Sequence, residues 1–173
     1  MRISATGTSN RGFTILELIV VLLIIAAAAA MVLPRLSAFQ DLETRNSARN
    51  IAELMGHLNE RAVAGRTGYR LLIDLNSQKI SVQQLTESGD TKIPDDPFLQ
   101  RNPVTGSTRI SDLTTERRGK VESGSVTLPY GIGGLSEPVV LRLGRPGGRQ
   151  YTVQALPVNG SVKVAEGSLE MIR

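Results

Sequence analysis

The 173-residue sequence predicts an α+β fold, one long N-terminal helix packed on an antiparallel β-sheet. Three observations carry this. Apolar residues concentrate between Phe13 and Leu33. A helical stripe of apolar positions then continues beyond Pro34 to about Ala64. After Gly68 the chain reads as short β-prone runs divided by Gly, Pro and Asn turns. One helix followed by many strands indicates α+β rather than an alternating α/β order.

Residues 1–12 contain Arg2 and Arg11 and no acid. The whole chain carries 20 basic and 16 acidic residues, a formal +4. Without the first twelve residues 18 basic residues remain against the same 16 acids, or +2. That charge does not by itself argue for nucleic acid. There are no cysteines, which rules out disulfides, thiol chemistry and cysteine metal sites.

Leu18 to Leu33 is an unbroken run of sixteen apolar residues. Extended back to Phe13 it has 21 positions, interrupted only by Thr14 and Glu17. As a helix at ~1.5 Å per residue it is roughly 31 Å long, about one bilayer core. Three readings fit such a segment. It can be a secretory signal cut near Ala26 to Ala30, leaving a soluble secreted domain. It can be a plain single-pass anchor. It can be a signal cut before the apolar run, so that the run survives. Glu17 separates them, because a carboxylate costs ~2.5–3.5 kcal/mol near the centre of a spanning helix, and less near its end. A local explanation also exists. Thr14-Ile15-Leu16-Glu17 fits a capping box, with Thr14 as N-cap and Glu17 reaching back to its amide at the positive end of the helix dipole.

The residues around Glu17 favour the third reading. Arg11, Gly12, Phe13 and Glu17, followed by the apolar run and Pro34, resemble the leader of type IV prepilins and type II secretion pseudopilins. The resemblance implies that a membrane aspartyl peptidase cuts between Gly12 and Phe13 and N-methylates Phe13. It implies that Glu17 pairs with the N-terminal amine of a neighbouring subunit in a filament, and that Pro34 kinks the helix. It also implies the type IV pilin fold. The expected organisation is a leader over 1–12, an apolar membrane and filament-core helix over 13–34, and its amphipathic continuation over 35–66. A periplasmic β-rich domain then occupies 67–173, with a variable loop over about 86–124.

The amphipathic stripe comprises Leu36, Phe39, Leu42, Ile51, Leu54, Met55, Leu58 and Ala62. Its apolar face is interrupted by Glu43-Thr44-Arg45-Asn46-Ser47. The helix is expected to end near Gly65 or Gly68. Tyr69 to Leu75 and Lys79 to Leu85 form a hairpin across Asn76-Ser77-Gln78. Thr86 to Gly124 is read as a long loop with a short strand around Arg109 to Leu113. Strands are expected at Ser125–Leu128, Pro138–Leu143, Gln150–Leu156, Ser161–Val164 and Ser168–Ile172. Turns are expected at Gly131–Gly134, Gly144–Gly148 and Val158-Asn159-Gly160.

Leu58-Asn59-Glu60-Arg61-Ala62 and the first strand Tyr69 to Asp74 resemble the H-type minor pseudopilins and related minor pilins. This implies a minor subunit of the pseudopilus of a type II secretion system, anchored in the inner membrane with its C-terminal domain in the periplasm. Its implied partners are other pseudopilins through helix packing, the prepilin peptidase, membrane lipid, and secretion components or exported substrates. Two alternatives within the family are a minor type IV pilin in motility or DNA uptake and the major pseudopilin. Asp95-Asp96-Pro97-Phe98 resembles the Asp-Pro-aromatic segment of the latter, where Asp90, Asp95, Asp96 and Asp112 could offer oxygen to calcium. No spaced calcium loop is visible, so no metal and no cofactor are expected.

Enzyme signatures are missing from the sequence. His57 is the only histidine, on a predicted helix. Neither a nucleophile elbow nor a phosphate-binding loop is present. Asn159-Gly160-Ser161 matches a glycosylation triplet, but Asn-Gly is a favoured tight turn. Arg142, Arg145 and Arg149 cluster around glycines and are candidates for nucleic-acid contact, as in minor pilins that capture DNA. Glu137, Glu166 and Glu170 nearby and the scarcity of aromatics favour an ordinary solvated loop, and nucleic acid is not expected as a partner.

Overall fold

The computed structural model describes residues 13–157 and 160–168, and of residues 32–40 the backbone only. The expected leader, the expected strand Ser168–Ile172 beyond Ser168, and Val158 and Asn159 of the expected turn lie outside the described residues. The chain divides into two units, Met1–Ser37 and Ala38–Arg173.

Helix α1 spans Ile15–Gly65, close to the expected bounds. The Thr14 hydroxyl accepts a hydrogen bond from the Glu17 amide at 3.1 Å, the first half of the expected capping box. The Glu17 carboxylate has no hydrogen-bond partner among the described residues. Helical backbone continues through Pro34, whose side chain lies outside the described residues. At the other end, the amide of Thr67 donates to the carbonyl of Ala62, and that of Arg66 to that of Val63. This pair of bonds is a Schellman closure, with Arg66 in the left-handed position (φ 49°).

In the second unit the strands form two five-stranded antiparallel sheets, where one sheet was expected. The first sheet contains β1 (Tyr69–Asp74), β2 (Lys79–Leu85), β3 (Thr91–Lys92), β6 (Ser125–Gly131) and β7 (Gly134–Leu135), in the order β3-β2-β1-β6-β7. The second contains β4 (Arg109–Thr115), β5 (Gly119–Val121), β8 (Val139–Gly144), β9 (Tyr151–Ala155) and β10 (Val162–Glu166), in the order β10-β9-β8-β4-β5. The expected β1–β2 hairpin forms, and its register pairs Tyr69 with Gln84 through Asp74 with Lys79.

The expected loop over 86–124 needs correction. It holds β3 and β5, and β4 is an internal strand of the second sheet, paired to β8 along its length. Its alternation is hidden by a bulge between Ile110 and Asp112. The extra residue puts Ile110 and Leu113 on one face although they are three apart in sequence.

One apolar core unites α1 with both sheets. Ala48, Ile51, Leu54, Met55, Leu58 and Ala62 of α1 are buried with Leu71, Ile73, Val126 and Leu128 of the first sheet and Ile110, Leu113, Leu141, Leu143 and Val153 of the second. These helix positions recur at three- and four-residue spacing, the period that keeps one face inward. Aliphatic side chains supply most of this core, and Tyr69, Tyr130 and Tyr151 are its buried aromatics.

Candidate functional site

The first unit is notable for what it leaves uncovered. The described side chains from Phe13 to Met31 are all exposed, with Phe13 at 81% and Met31 at 69%. Leu, Ile and Val point outward on every side of α1 here, so no polar face exists to meet water. Apolar surface this extensive calls for cover by lipid or by other helices. Among the described residues no helix is long and apolar enough to cross a membrane. The apolar run continues in sequence through Val32 and Leu33, whose side chains lie outside the described residues. Of the expected cleavage pair, Phe13 is described and Gly12 is not.

In the second unit, the segment between β3 and β4 acts as a strap along α1. At one end Asp96 meets two side chains of the helix. His57 Nε2 lies 2.8 Å from Asp96 Oδ2, and Arg61 Nη2 donates to the same oxygen at 2.9 Å. The Phe98 amide donates to Asp96 Oδ1, and the Phe98 ring stands edge-on to His57 at 5.0 Å. The hydrogen bond from His57, that from the Phe98 amide and that from Arg61 hold the Asp96 carboxyl down at about 2. At the other end, Ser47 is buried against Thr105 and Thr108. The Thr105 amide donates to Ser47 Oγ at 3.1 Å, and the Ser107 amide donates to Glu43. Between these ends Leu99 is buried in the core. The polar break in the apolar stripe is therefore the landing site of the strap.

Asn59 holds the turns of the other side. Its Oδ1 accepts from the Leu135 amide at 3.0 Å. Gly134 and Gly160 both have positive φ and both lie against the Asn59 side chain, where a Cβ would collide with it. Sequence reasoning singled out the segment containing Asn59 and Arg61 but not these contacts, because every partner is distant in sequence.

The expected arginine cluster is dispersed among acids. Arg142 of β8 donates to Asp112 of β4 at 2.8 Å, across the strands. Arg149 pairs with Glu166 at 2.9 Å and lies 3.7 Å from Asp41. Arg145 is half-buried, and its Nε has no hydrogen-bond partner among the described residues. The four aspartates considered for calcium are likewise apart. Asp90 meets Ser88, Asp95 meets Lys92, Asp96 meets His57 and Arg61, and Asp112 meets Arg142.

Comparison with known proteins speaks to both units. A family model described as the prokaryotic N-terminal methylation motif matches residues 7–33. No curated protein matches the chain in sequence. Among the solved structures similar to it are two of the minor pseudopilin EpsH from the type II secretion system of Vibrio cholerae. One has a TM-score of 0.60 at 19% identity, covering 74% of this chain and 97% of the other. The second has a TM-score of 0.55 at 20% identity, covering 72% and 97%. The expected pilin-like architecture, a long N-terminal helix with antiparallel sheets, is thus shared with solved pseudopilins. This chain joins a prokaryotic N-terminal methylation motif to a domain with the fold of a minor pseudopilin.

Proposed function

We propose that this chain is a minor pseudopilin, a non-enzymatic subunit of a periplasmic filament in a type II secretion system that exports proteins across the outer membrane. The observation that carries this reading is the combination of the methylation motif over residues 7–33 with the EpsH-like domain. The precursor inserts in the inner membrane through residues 13–34, with its short basic leader cytoplasmic and its domain periplasmic. The prepilin peptidase cuts between Gly12 and Phe13 and methylates Phe13. The exposed apolar helix then exchanges lipid for the helices of neighbouring subunits.

In that water-poor setting Glu17 needs a cation, and the new amine at Phe13 of an adjacent subunit supplies one. Pairing and hydrogen bonding then offset the cost of burying both charges. Thr14 caps the helix from its own side chain, which leaves the Glu17 carboxylate available for a neighbour. Pairing of Arg142 and Arg149 with acids within the domain favours this reading over capture of nucleic acid.

Mass spectrometry of the mature N-terminus tests the processing. A chain beginning with N-methylated Phe13 is the expected result; an intact leader or a start after Ala28 refutes it. Glu17→Ala is expected to leave membrane insertion intact and to lower co-isolation with the filament severalfold. Undiminished incorporation of that variant would remove the charge-pairing role.

A further inference from the structure

The sheet edges of this domain are unequally protected. At the β6 edge, Pro129 O accepts from the Ser136 amide, so the donor that proline lacks is on the open side. The Arg118 guanidinium covers the neighbouring Ser125 carbonyl. On β2 the Ile80 amide donates to the Asn102 side chain. The edge strands β3 and β7 have two residues each and β5 has three. Short strands, proline and covering side chains are how sheets avoid unwanted pairing.

Among the described residues β10 has no proline and no side chain bonded to its outer backbone, and its charges are Lys163 and Glu166. It is a five-residue edge strand among the described residues. Its bonding pattern follows from two flanking bonds: the Leu156 amide donates to Ser161 O, and the Gly167 amide to Gln150 O. In the same antiparallel register, Lys163 and Ala165 exchange bonds with β9. Val162, Val164 and Glu166 therefore turn their amides and carbonyls outward.

Beside this edge runs a cleft of about 250 Å³ lined by Arg45, Arg49, Tyr151, Val164, Ala165 and Glu166. Val164 is an exposed apolar side chain in its wall. Arg45 and Arg49 lie one helical turn apart on α1, both exposed. Acids stand four residues from each, Asp41 and Glu53, yet neither arginine forms an ion pair or hydrogen bond among the described residues. Asp41 is turned to Arg149 instead. Glu166, the acid in the cleft, is engaged by Arg149. Lys163 adds a further exposed cation to the same strand.

From this juxtaposition we infer that β10 and the flanking arginines form a docking site for an extended acidic segment of a partner protein, which adds a strand to the second sheet. Main-chain bonds to Val162, Val164 and Glu166 supply the affinity. Alternate side chains of the guest face the cleft, where carboxylates meet Arg45 and Arg49; this sets the sign of charge that is accepted. The inference does not depend on the chain working in a secretion filament, because it rests on the domain alone.

The test uses the full-length protein in detergent micelles and a short fluorescent peptide of alternating threonine and glutamate. A matched peptide of threonine and lysine serves as the control. The acidic peptide is expected to bind and to slow hydrogen exchange of the Val162, Val164 and Glu166 amides. Arg45→Glu with Arg49→Glu is expected to weaken binding at least about tenfold. Val164→Pro removes one outward donor and no bond to β9, and is expected to abolish binding. Should the proline variant unfold, the charge-reversed protein still decides the matter. No binding, equal binding of the lysine peptide, or binding without protection of β10 overturns the proposal. So does a single-stranded oligonucleotide that occupies the same arginines in place of the peptide, or protection of β10 that arises only from self-association.

Discussion

The two halves of α1 share one secondary structure and opposite surroundings. From Phe13 to Met31 every described side chain is exposed, although nearly all are apolar. From Ala48 to Ala62 only one face is apolar, and that face is buried in the core. Helical backbone satisfies its own hydrogen bonds, so it is indifferent to which solvent surrounds it. The side chains make the choice. An all-round apolar stretch is suited to lipid or to packed helices, and a striped one to a sheet of the same chain.

Substitution of matched residues on the two halves separates these roles most sharply. Leu58→Ala empties a fully buried site and is expected to cost the domain about 2–5 kcal/mol in urea unfolding. Ile19→Ala, at a half-exposed site, is expected to change the same unfolding by less than about 0.5 kcal/mol. Equal effects would mean that both halves belong to one cooperative core.

The strap sharpens the comparison within the buried half. Ser47→Ala leaves the Thr105 amide without its acceptor in a buried place. A loss of about 1–3 kcal/mol is expected, with faster proteolysis between Asp96 and Ser107. A variant as resistant as the parent would show that Leu99 with the contacts at Asp96 and Glu43 holds the strap without Ser47.

Acid probes the Asp96 end of the same strap. Asp96 titrates at about 2 in the folded chain, below the ordinary 3.8. A carboxyl with a lowered folded value stabilises fully above its unfolded value. That contribution is lost as pH falls through the window from about 4 to about 2. Carboxyl carbon NMR should place the Asp96 midpoint near 2, and His57→Ala should move it upward. A midpoint unchanged by His57→Ala would assign the shift to the Phe98 amide and Arg61.

Much of this was legible from residue order. The long helix, the β1–β2 hairpin and the strands from Ser125 to Val164 follow from local periodicity and turn chemistry, which act over a few residues. β4 was not legible as a full strand. Its bulge at Ser111 shifts the alternation, and Ile110 and Leu113 then mimic helical or irregular spacing. The division of the strands into two sheets was equally hidden, because strand order is set by packing between distant segments. Ser47 reads as a flaw in the apolar stripe. Its surroundings show a buried landing site for a segment some 58 residues on. The arginines Arg142 and Arg149 read as a basic cluster; cross-strand register and the hairpin at Gly144 bring them to Asp112 and Glu166.

The sequence by itself determined the apolar N-terminal segment with its Gly12, Phe13 and Glu17 pattern, because that pattern is local and needs no partner to be seen. It also determined the α+β class, since the change from helical to alternating period is written along the chain. Tertiary structure alone decided which polar residues become strap anchors, which charges neutralise one another, and which strand edge stays open among the described residues beside Arg45 and Arg49. Those outcomes depend on residues far apart in sequence meeting at hydrogen-bond distance, and only the packed fold fixes which ones meet.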